Sequence, residues 1–112
     1  MDEKTVQSAM TIILNAGDAR VACKKALDAI ADGNFEKAEE YMKEAHVKIT
    51  VAHKVQTDTI QDETRGSTKE YSLLFAHAQD TLMTIYSEIN IAKQMIKIFK
   101  VYDARIKEFE KK

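Results

Sequence analysis

Proline is absent from this chain of 112 residues, and glycine occurs only three times, at positions 17, 33 and 66. Because proline and glycine are the residues that most often interrupt helices, little in the sequence opposes helical structure. Hydrophobic residues make up 45% of the chain, which is too many for a disordered protein. We therefore expect one all-α domain that spans residues 1–112 and buries a single core.

The charged residues almost balance, since 17 Lys and Arg oppose 18 Asp and Glu and the net charge is −1. Surfaces for nucleic acid or anionic membranes carry an excess of basic residues, so neither partner is indicated. The amino terminus lacks the apolar segment of a signal peptide, and no apolar run approaches membrane-spanning length. The expected location is the cytoplasm, and the single cysteine, Cys23, is interpreted as a small core residue.

The first predicted helix runs from Glu3 to Ala31. Residues at alternating spacings of three and four form its predicted core stripe: Val6, Ala9, Ile13, Ala16, Arg20, Cys23, Leu27 and Ile30. A turn follows, in which Gly33 suits the left-handed residue that ends a helix and Asn34 suits the N-cap of the next.

The second predicted helix spans Phe35 to Arg65. Its predicted core stripe becomes polar toward the end: Ala38, Met42, Ala45, Ile49, Ala52, Gln56 and Thr59. Because buried polar groups need partners, this end is expected to be hydrated or engaged with another group. Gly66 is predicted to end the helix, and Ser67 with Glu70 to form a capping box for the third helix.

The third predicted helix, Tyr71 to Phe109, carries two apolar stripes where a helix in a monomeric three-helix bundle needs one. The first consists of Leu74, Ala78, Leu82, Ile85, Ile89, Ala92, Ile96 and Phe99; the second consists of His77, Thr84, Ile91, Met95, Ile98 and Tyr102. We expect the three helices to form an antiparallel up-down-up bundle. The surplus apolar stripe predicts that the third helix also packs against other copies of the chain.

One ionisable pair, His77 and Asp80, lies in a stretch that contains no Lys or Arg from Tyr71 to Ala92. A helix places residues three and four apart on one face, so His77, Asp80 and Thr81 share a patch. An imidazole in such a patch can act as a pH switch, a metal ligand or a nucleophile, and the pattern alone leaves these roles open.

Four segments follow each other along the chain in a distinctive order: residues 16–20, 32–38, 52–61 and 72–83. The most specific is the last, with His-Ala-Gln-Asp at 77–80 followed closely by Leu82 and Met83. In this order and spacing the segments resemble one family, the lactose/cellobiose class of phosphotransferase-system (PTS) IIA proteins. The resemblance extends from Glu3 to about Lys100.

The resemblance implies a homotrimer of three-helix subunits that carries a phosphoryl group during sugar uptake. His77 would accept the group from phosphorylated HPr and pass it to a cysteine of the cognate IIB component. Asp80 from three subunits would meet near the trimer axis and hold one divalent cation, for which carboxylate and water ligands favour Mg²⁺. The membrane permease IIC would be contacted only indirectly, through IIB.

The sequence departs from many family members at Thr81, where they have a second histidine. Thr81 offers a hydrogen-bond donor without positive charge, so the stability of a phosphohistidine or the rate of transfer is expected to differ. Gln79 is a candidate orienting or donor group. It lies on a different helical face from His77 within one subunit, so in a trimer it would act on a neighbour's site.

Other interpretations of these residues remain open from the sequence. The chain could be a non-catalytic helical adaptor that docks partners without being phosphorylated, or a bundle that binds a metal through His77 and Asp80. Asp80 could instead pair with Arg20, while His46 and His53 are ordinary positions of the second helix by default. The transported sugar is not identified, since lactose, chitobiose and β-glucoside systems fit equally.

Overall fold

The computed structural model describes residues 3–65 and 72–112. They form three helices, α1 (Glu3–Ala31), α2 (Phe35–Thr64) and α3 (Leu73–Glu110), and no strand occurs in these two ranges. Side chains that join the helices give their directions. Arg20 in α1 pairs with Glu88 in α3, whereas Lys100 near the end of α3 pairs with Glu39 near the start of α2. The helices therefore run up, down and up, which confirms the predicted all-α three-helix architecture.

The helix limits agree with the predicted ones to within two residues. α1 begins and ends as predicted, α2 ends at Thr64 rather than Arg65, and α3 ends at Glu110 rather than Phe109. The start of α3 is set by Ser72, whose hydroxyl oxygen accepts a hydrogen bond from the Phe75 N–H at 3.0 Å. The predicted roles of Gly66, Ser67 and Glu70, and the predicted helix start at Tyr71, lie outside the described residues.

The turn between α1 and α2 has the two features that the sequence predicts. Gly33 adopts a φ of 77°, in the left-handed region that residues with a Cβ avoid. The Asn34 side chain accepts a hydrogen bond from the Lys37 N–H at 3.0 Å and caps α2. The Asn34 N–H also donates to the Ala29 carbonyl oxygen at 2.8 Å. Asn34 therefore helps to cap both the end of α1 and the start of α2.

The buried residues of α2 coincide with its predicted core stripe, including the polar Gln56 and Thr59. The predicted core stripe of α1 is only partly confirmed: Ala9, Ala16 and Cys23 are buried, whereas the other predicted residues are half-buried (Val6, Ile13, Leu27 and Ile30) or exposed (Arg20). The buried residues of α1 are Thr5, Ala9, Ile12, Ala16, Ala19, Ala22, Cys23, Ala26 and Ala29. The physical reason is that α1 contacts both other helices and so buries two adjacent faces. Arg20 is exposed, so its predicted place in the core stripe is wrong.

α3 buries the predicted central stripe, with Phe75 in place of Leu74 at one end and Ile96 as the last buried residue at the other. Phe99, predicted to be in the core, is 44% exposed, because it lines an open groove beside Leu27 and Ile30 of α1. Every residue of the second predicted stripe is exposed, including Ile91 at 58% and Ile98 at 50%. This surface, which we call the outward face of α3, is not needed for the core of one subunit.

Cys23 is buried in the core beside α3, as predicted. Burial raises the pKa of its thiol, and the negative charge of Glu88 raises it further. The neutral thiol is therefore favoured, which fits a packing role. No helix in the described part of the chain combines the length and the apolar character that crossing a bilayer requires.

Replacing each of the two described glycines by alanine is expected to change the free energy of unfolding in opposite directions. Gly33→Ala is expected to lower the free energy of unfolding by about 1 kcal/mol, because a Cβ is strained at positive φ. Gly17→Ala is the matched control, since no atom lies within 4 Å of an added Cβ in the helix interior. It is expected to raise the free energy of unfolding by about 0.5–1 kcal/mol. Urea unfolding of both variants checks this, and changes of the same sign would contradict it.

Candidate functional site

His77 lies in the second turn of α3, and its position follows from the packing around it. Its neighbours Phe75 and Ala78 are 5% and 0% exposed and fix this part of α3 against the core. A helix turns by about 100° per residue, so His77 is directed away from that core. The imidazole is exposed, and no described residue forms a hydrogen bond with it. It is therefore accessible to a second molecule.

Asp80 is also exposed, three residues along the same helix. Asp80, Thr84, Ile91 and Ile98 follow each other at spacings of four and seven, so the carboxylate belongs to the outward face of α3. It forms no ion pair with a described residue. The structure thus separates Asp80 from Arg20, whose guanidinium forms two hydrogen bonds with Glu88 at 2.9 and 2.8 Å.

That bidentate pair settles what Arg20 does within one subunit. The pairing of Arg20 with Asp80 that the sequence left open does not occur. The hydrogen bonds that Arg20 donates to the Glu88 carboxylate raise the pKa of Arg20, so the guanidinium stays charged. Both side chains are about half exposed, so the pair contributes little to the free energy of unfolding. It links the second half of α1 to the middle of α3.

Thr81 is half-buried, and its hydroxyl donates a hydrogen bond to the carbonyl oxygen of His77 at 2.9 Å. This is a bond within one turn of the same helix, of the kind that Ser and Thr commonly form. The single hydroxyl proton is therefore occupied by the backbone. To donate to a group bound at His77, Thr81 has to leave this rotamer.

Gln79 turns toward α2, on a different side of α3 from His77. Its side-chain oxygen accepts a hydrogen bond from the Gln56 amide at 3.1 Å, and Gln56 is only 9% exposed. The sequence indicated that Gln56 needs a partner, and this bond supplies one. Within one subunit Gln79 therefore connects α2 to α3, two residues along α3 from His77. Its predicted role toward a neighbouring subunit's site stays a prediction.

A metal site within one chain would need several ligands close together. The described residues contain no group of three or more His, Cys, Asp and Glu side chains close enough to hold a metal ion. His77 and Asp80 provide at most two ligands on one exposed helix face, and metal sites in proteins generally use more. Any metal at Asp80 therefore requires ligands from other molecules, such as further copies of the chain.

Residues 7–100 match the family model described as "PTS system, Lactose/Cellobiose specific IIA subunit". The chain belongs to this IIA family. A relative from Lacticaseibacillus casei, the PTS system lactose-specific EIIA component, is 41% identical over 101 residues, covering 90% of this chain and 87% of the relative. The lichenan-specific phosphotransferase enzyme IIA component of Bacillus subtilis is 33% identical over 88% of this chain and 90% of its own length.

Solved structures of this IIA family share the fold. The cellobiose-specific enzyme IIA of Bacillus anthracis superposes with a TM-score of 0.85 at 36% identity, covering 93% of this chain and 95% of the other. The chitobiose IIA of Escherichia coli, determined in a complex with HPr, gives a TM-score of 0.77 at 28% identity, covering 92% and 99%. These comparisons confirm the family that the sequence resembles.

The buried amide pair predicts a specific pattern of stability in this IIA protein. Gln56→Leu leaves the half-buried oxygen of Gln79 without its donor, so the free energy of unfolding is expected to fall by about 1–2 kcal/mol. In the double variant Gln56→Leu/Gln79→Leu both polar groups are removed together. Most of the loss is then expected to be recovered.

Urea unfolding of the wild type, Gln56→Leu, Gln79→Leu and the double variant completes the cycle. Equal and additive losses in the two single variants, with no recovery in the double variant, would show that the two amides do not depend on each other.

Proposed function

We propose that the chain is a phosphocarrier of a sugar phosphotransferase system, with His77 as the residue that carries the phosphoryl group. His77 accepts the group from phosphorylated HPr and passes it to a cysteine of the cognate IIB component. The sugar that is taken up and phosphorylated is of the lactose, cellobiose or chitobiose type. Membership of the IIA family and the likeness to a IIA protein solved with HPr support this proposal.

The observation that carries the proposal is the exposed imidazole of His77 in a helix whose other face is buried. A neutral imidazole nitrogen has the lone pair that attacks phosphorus, and the bond to the donor breaks as the phosphorus–nitrogen bond forms. The IIB thiolate later takes the phosphoryl group and restores the imidazole. Such transfer requires positioning more than covalent chemistry, and the core behind His77 holds its backbone in place.

The functional unit in this proposal is a homotrimer formed through the outward face of α3. Exposed apolar residues on that face are Ile91, Met95, Ile98 and Tyr102. Their spacing of three and four residues is the one that parallel helices use to pack against each other. His77 is at the edge of this face, so a neighbouring subunit would form one wall of its site.

Asp80 is the residue that would hold a metal in the trimer. Threefold symmetry brings three carboxylates together, and they repel each other unless they are protonated or bridged by a cation. Carboxylate oxygens suit Mg²⁺, so we propose one Mg²⁺ per trimer as a structural ion. Asp80 is exposed and has no ion-pair partner among the described residues, which fits this role.

Thr81 favours a second candidate function, that of an adaptor that docks HPr or IIB without being phosphorylated. Its hydroxyl proton is engaged by the His77 carbonyl oxygen, so the position offers neither a charge nor a free donor to a phosphoryl group. The carrier function remains preferred because the nucleophile itself is intact. In either case the chain would work in the cytoplasm and reach the permease IIC only through IIB.

Phosphorylation by phosphoenolpyruvate, enzyme I and HPr tests the carrier function. The wild type is expected to take up one acid-labile phosphate per chain, mapped to His77 by mass spectrometry under alkaline conditions. His77→Ala is expected to fold and to remain unlabelled. His46→Ala is the matched control, since His46 is an exposed histidine on α2, and it is expected to be labelled fully.

The adaptor predicts a different result in the same assay. A folded wild-type protein that binds HPr but takes up no phosphate, beside a related IIA protein that is labelled, would contradict the carrier function. Label on another residue would leave the carrier function intact and remove His77 from it.

If three Asp80 carboxylates hold the proposed metal, the melting temperatures of the wild type and of Asp80→Asn are expected to respond differently to Mg²⁺. Mg²⁺ is expected to raise the melting temperature of the wild type, because an ion that binds only the assembled state stabilises it. Asp80→Asn removes the repelling charges, so its melting temperature is expected not to depend on Mg²⁺ or on chelator. Calorimetry with Mg²⁺ and with chelator measures both, and a wild type that is indifferent to Mg²⁺ would contradict the proposed ion.

A further inference from the structure

A second surface, remote from His77, contains a cluster of hydrogen-bond donors. It is a groove of about 170 Å³ between α2 and α3, which we call the α2–α3 groove. Its lining residues are His46, Ile49, Thr50, His53, Tyr86, Ile89, Asn90 and Lys93. Tyr86, the groove residue of α3 nearest to His77 in sequence, is nine residues from it, which corresponds to about 14 Å along the helix axis. The groove is therefore separate from the proposed phosphocarrier site.

The α2–α3 groove differs from two other grooves of the described structure in the charge of its lining side chains. None of its lining residues is acidic, although acidic residues outnumber basic ones in the chain as a whole. By contrast, the groove between α1 and the end of α2 is lined by Asp58 and Asp62 beside Lys4. The groove beside the α1–α2 turn is lined by Asp28 and Asp32 beside Lys25 and Lys37. The α2–α3 groove is thus suited to an anion and not to a cation.

The lysines at this groove are available to a ligand. Lys93 lines the groove and Lys97 follows one turn later, and neither forms an ion pair with a described residue. Other lysines at helix junctions are engaged, as in the pairs of Lys48 with Asp18 and of Lys100 with Glu39. An ammonium group without a counterion beside a concave surface is where an anion binds with least competition.

The walls of the groove combine donors with apolar surface. Ile49 and Ile89, each 2% exposed, form its base. The rings of His53 and Tyr86 stand across the groove from each other, with centroids 6.4 Å apart and planes tilted by 32°. An imidazole has at least one N–H donor in either protonation state, and Thr50, Tyr86 and Asn90 add hydroxyl and amide donors. Several donors therefore line a groove whose base is apolar.

From this arrangement we infer that the α2–α3 groove binds a phosphate group, either as the free ion or as part of a small ester. A phosphate dianion has several acceptor oxygens and can use the Lys93 ammonium, the imidazole N–H groups and the Asn90 amide together. The volume is below the roughly 300–1,000 Å³ of sites for drug-sized molecules, so the phosphate group enters and the rest of the ester lies over the open rim. Binding here leaves His77 uncovered.

The test uses the full chain and three probes, and the readout is NMR chemical shift. Glucose 6-phosphate represents a phosphate ester, inorganic phosphate represents the free ion, and sodium chloride at the same ionic strength is the control for screening. Saturable shifts at His46, His53, Asn90 and Lys93 are expected with glucose 6-phosphate. Weaker saturation by inorganic phosphate identifies the ester as the ligand, whereas equal saturation identifies the phosphate ion alone.

Two lysine variants provide the matched comparison. Lys93→Gln is expected to weaken binding about fivefold or more, because it removes a charged hydrogen bond to the ligand. Lys97→Gln removes the same charge one turn outside the groove and is expected to stay within about twofold of the wild type. Both lysines are exposed, so both variants are expected to fold.

Two results would overturn the inference. One is a set of shifts that sodium chloride reproduces, which would show only screening of surface charges. The other is equal weakening by Lys93→Gln and Lys97→Gln, which would show diffuse attraction without a site. Because the groove lacks His77, the phosphorylation assay and this titration can succeed or fail independently.

Discussion

The burial of one stripe of α3 is the interaction on which the rest of the structure depends. Phe75, Ala78 and Leu82 are 5%, 0% and 0% exposed, so the first turns of α3 cannot rotate without exposing apolar surface. With that rotation fixed, the helical repeat directs His77 and Asp80 outward. The exposure of the candidate site is therefore a consequence of core packing on the opposite side of the same helix.

The same helix also faces α2, where the packing is looser. Two polar contacts join α2 to α3, the Gln56–Gln79 amide pair near His77 and the pair of Lys100 with Glu39 at the other end. Between these two contacts lies the α2–α3 groove. α3 thus has three different sides: one is buried in the core, one forms the outward face and one lines the groove.

Local sequence signals predict the features of the fold that depend on neighbouring residues. The helix limits, the positive φ of Gly33 and the Asn34 cap follow from propensities and spacing within a few residues. The core stripe of α2 was predicted completely because α2 buries one narrow face. The family was identified from the residues around His77, and the family model confirms it.

Features that depend on distant residues could not be predicted from periodicity. Arg20 was assigned to the core of α1 because it has the right spacing, but its partner Glu88 is 68 residues away. The second buried face of α1 consists mostly of alanine, which has too weak a hydrophobic signal to indicate burial. The groove combines residues from two helices, and no spacing within either helix indicates that they meet.

The central claim is that α3 has two packing faces, one for its own subunit and one for other copies of the chain. The most direct measurement is the molar mass of the full-length protein by sedimentation equilibrium at micromolar concentration with Mg²⁺ present. A homotrimer predicts about 38 kDa, three times the 12.7 kDa of one chain. A protein that remains at the monomer mass at all concentrations would contradict the account, since the outward face of α3 would then be exposed to water in solution.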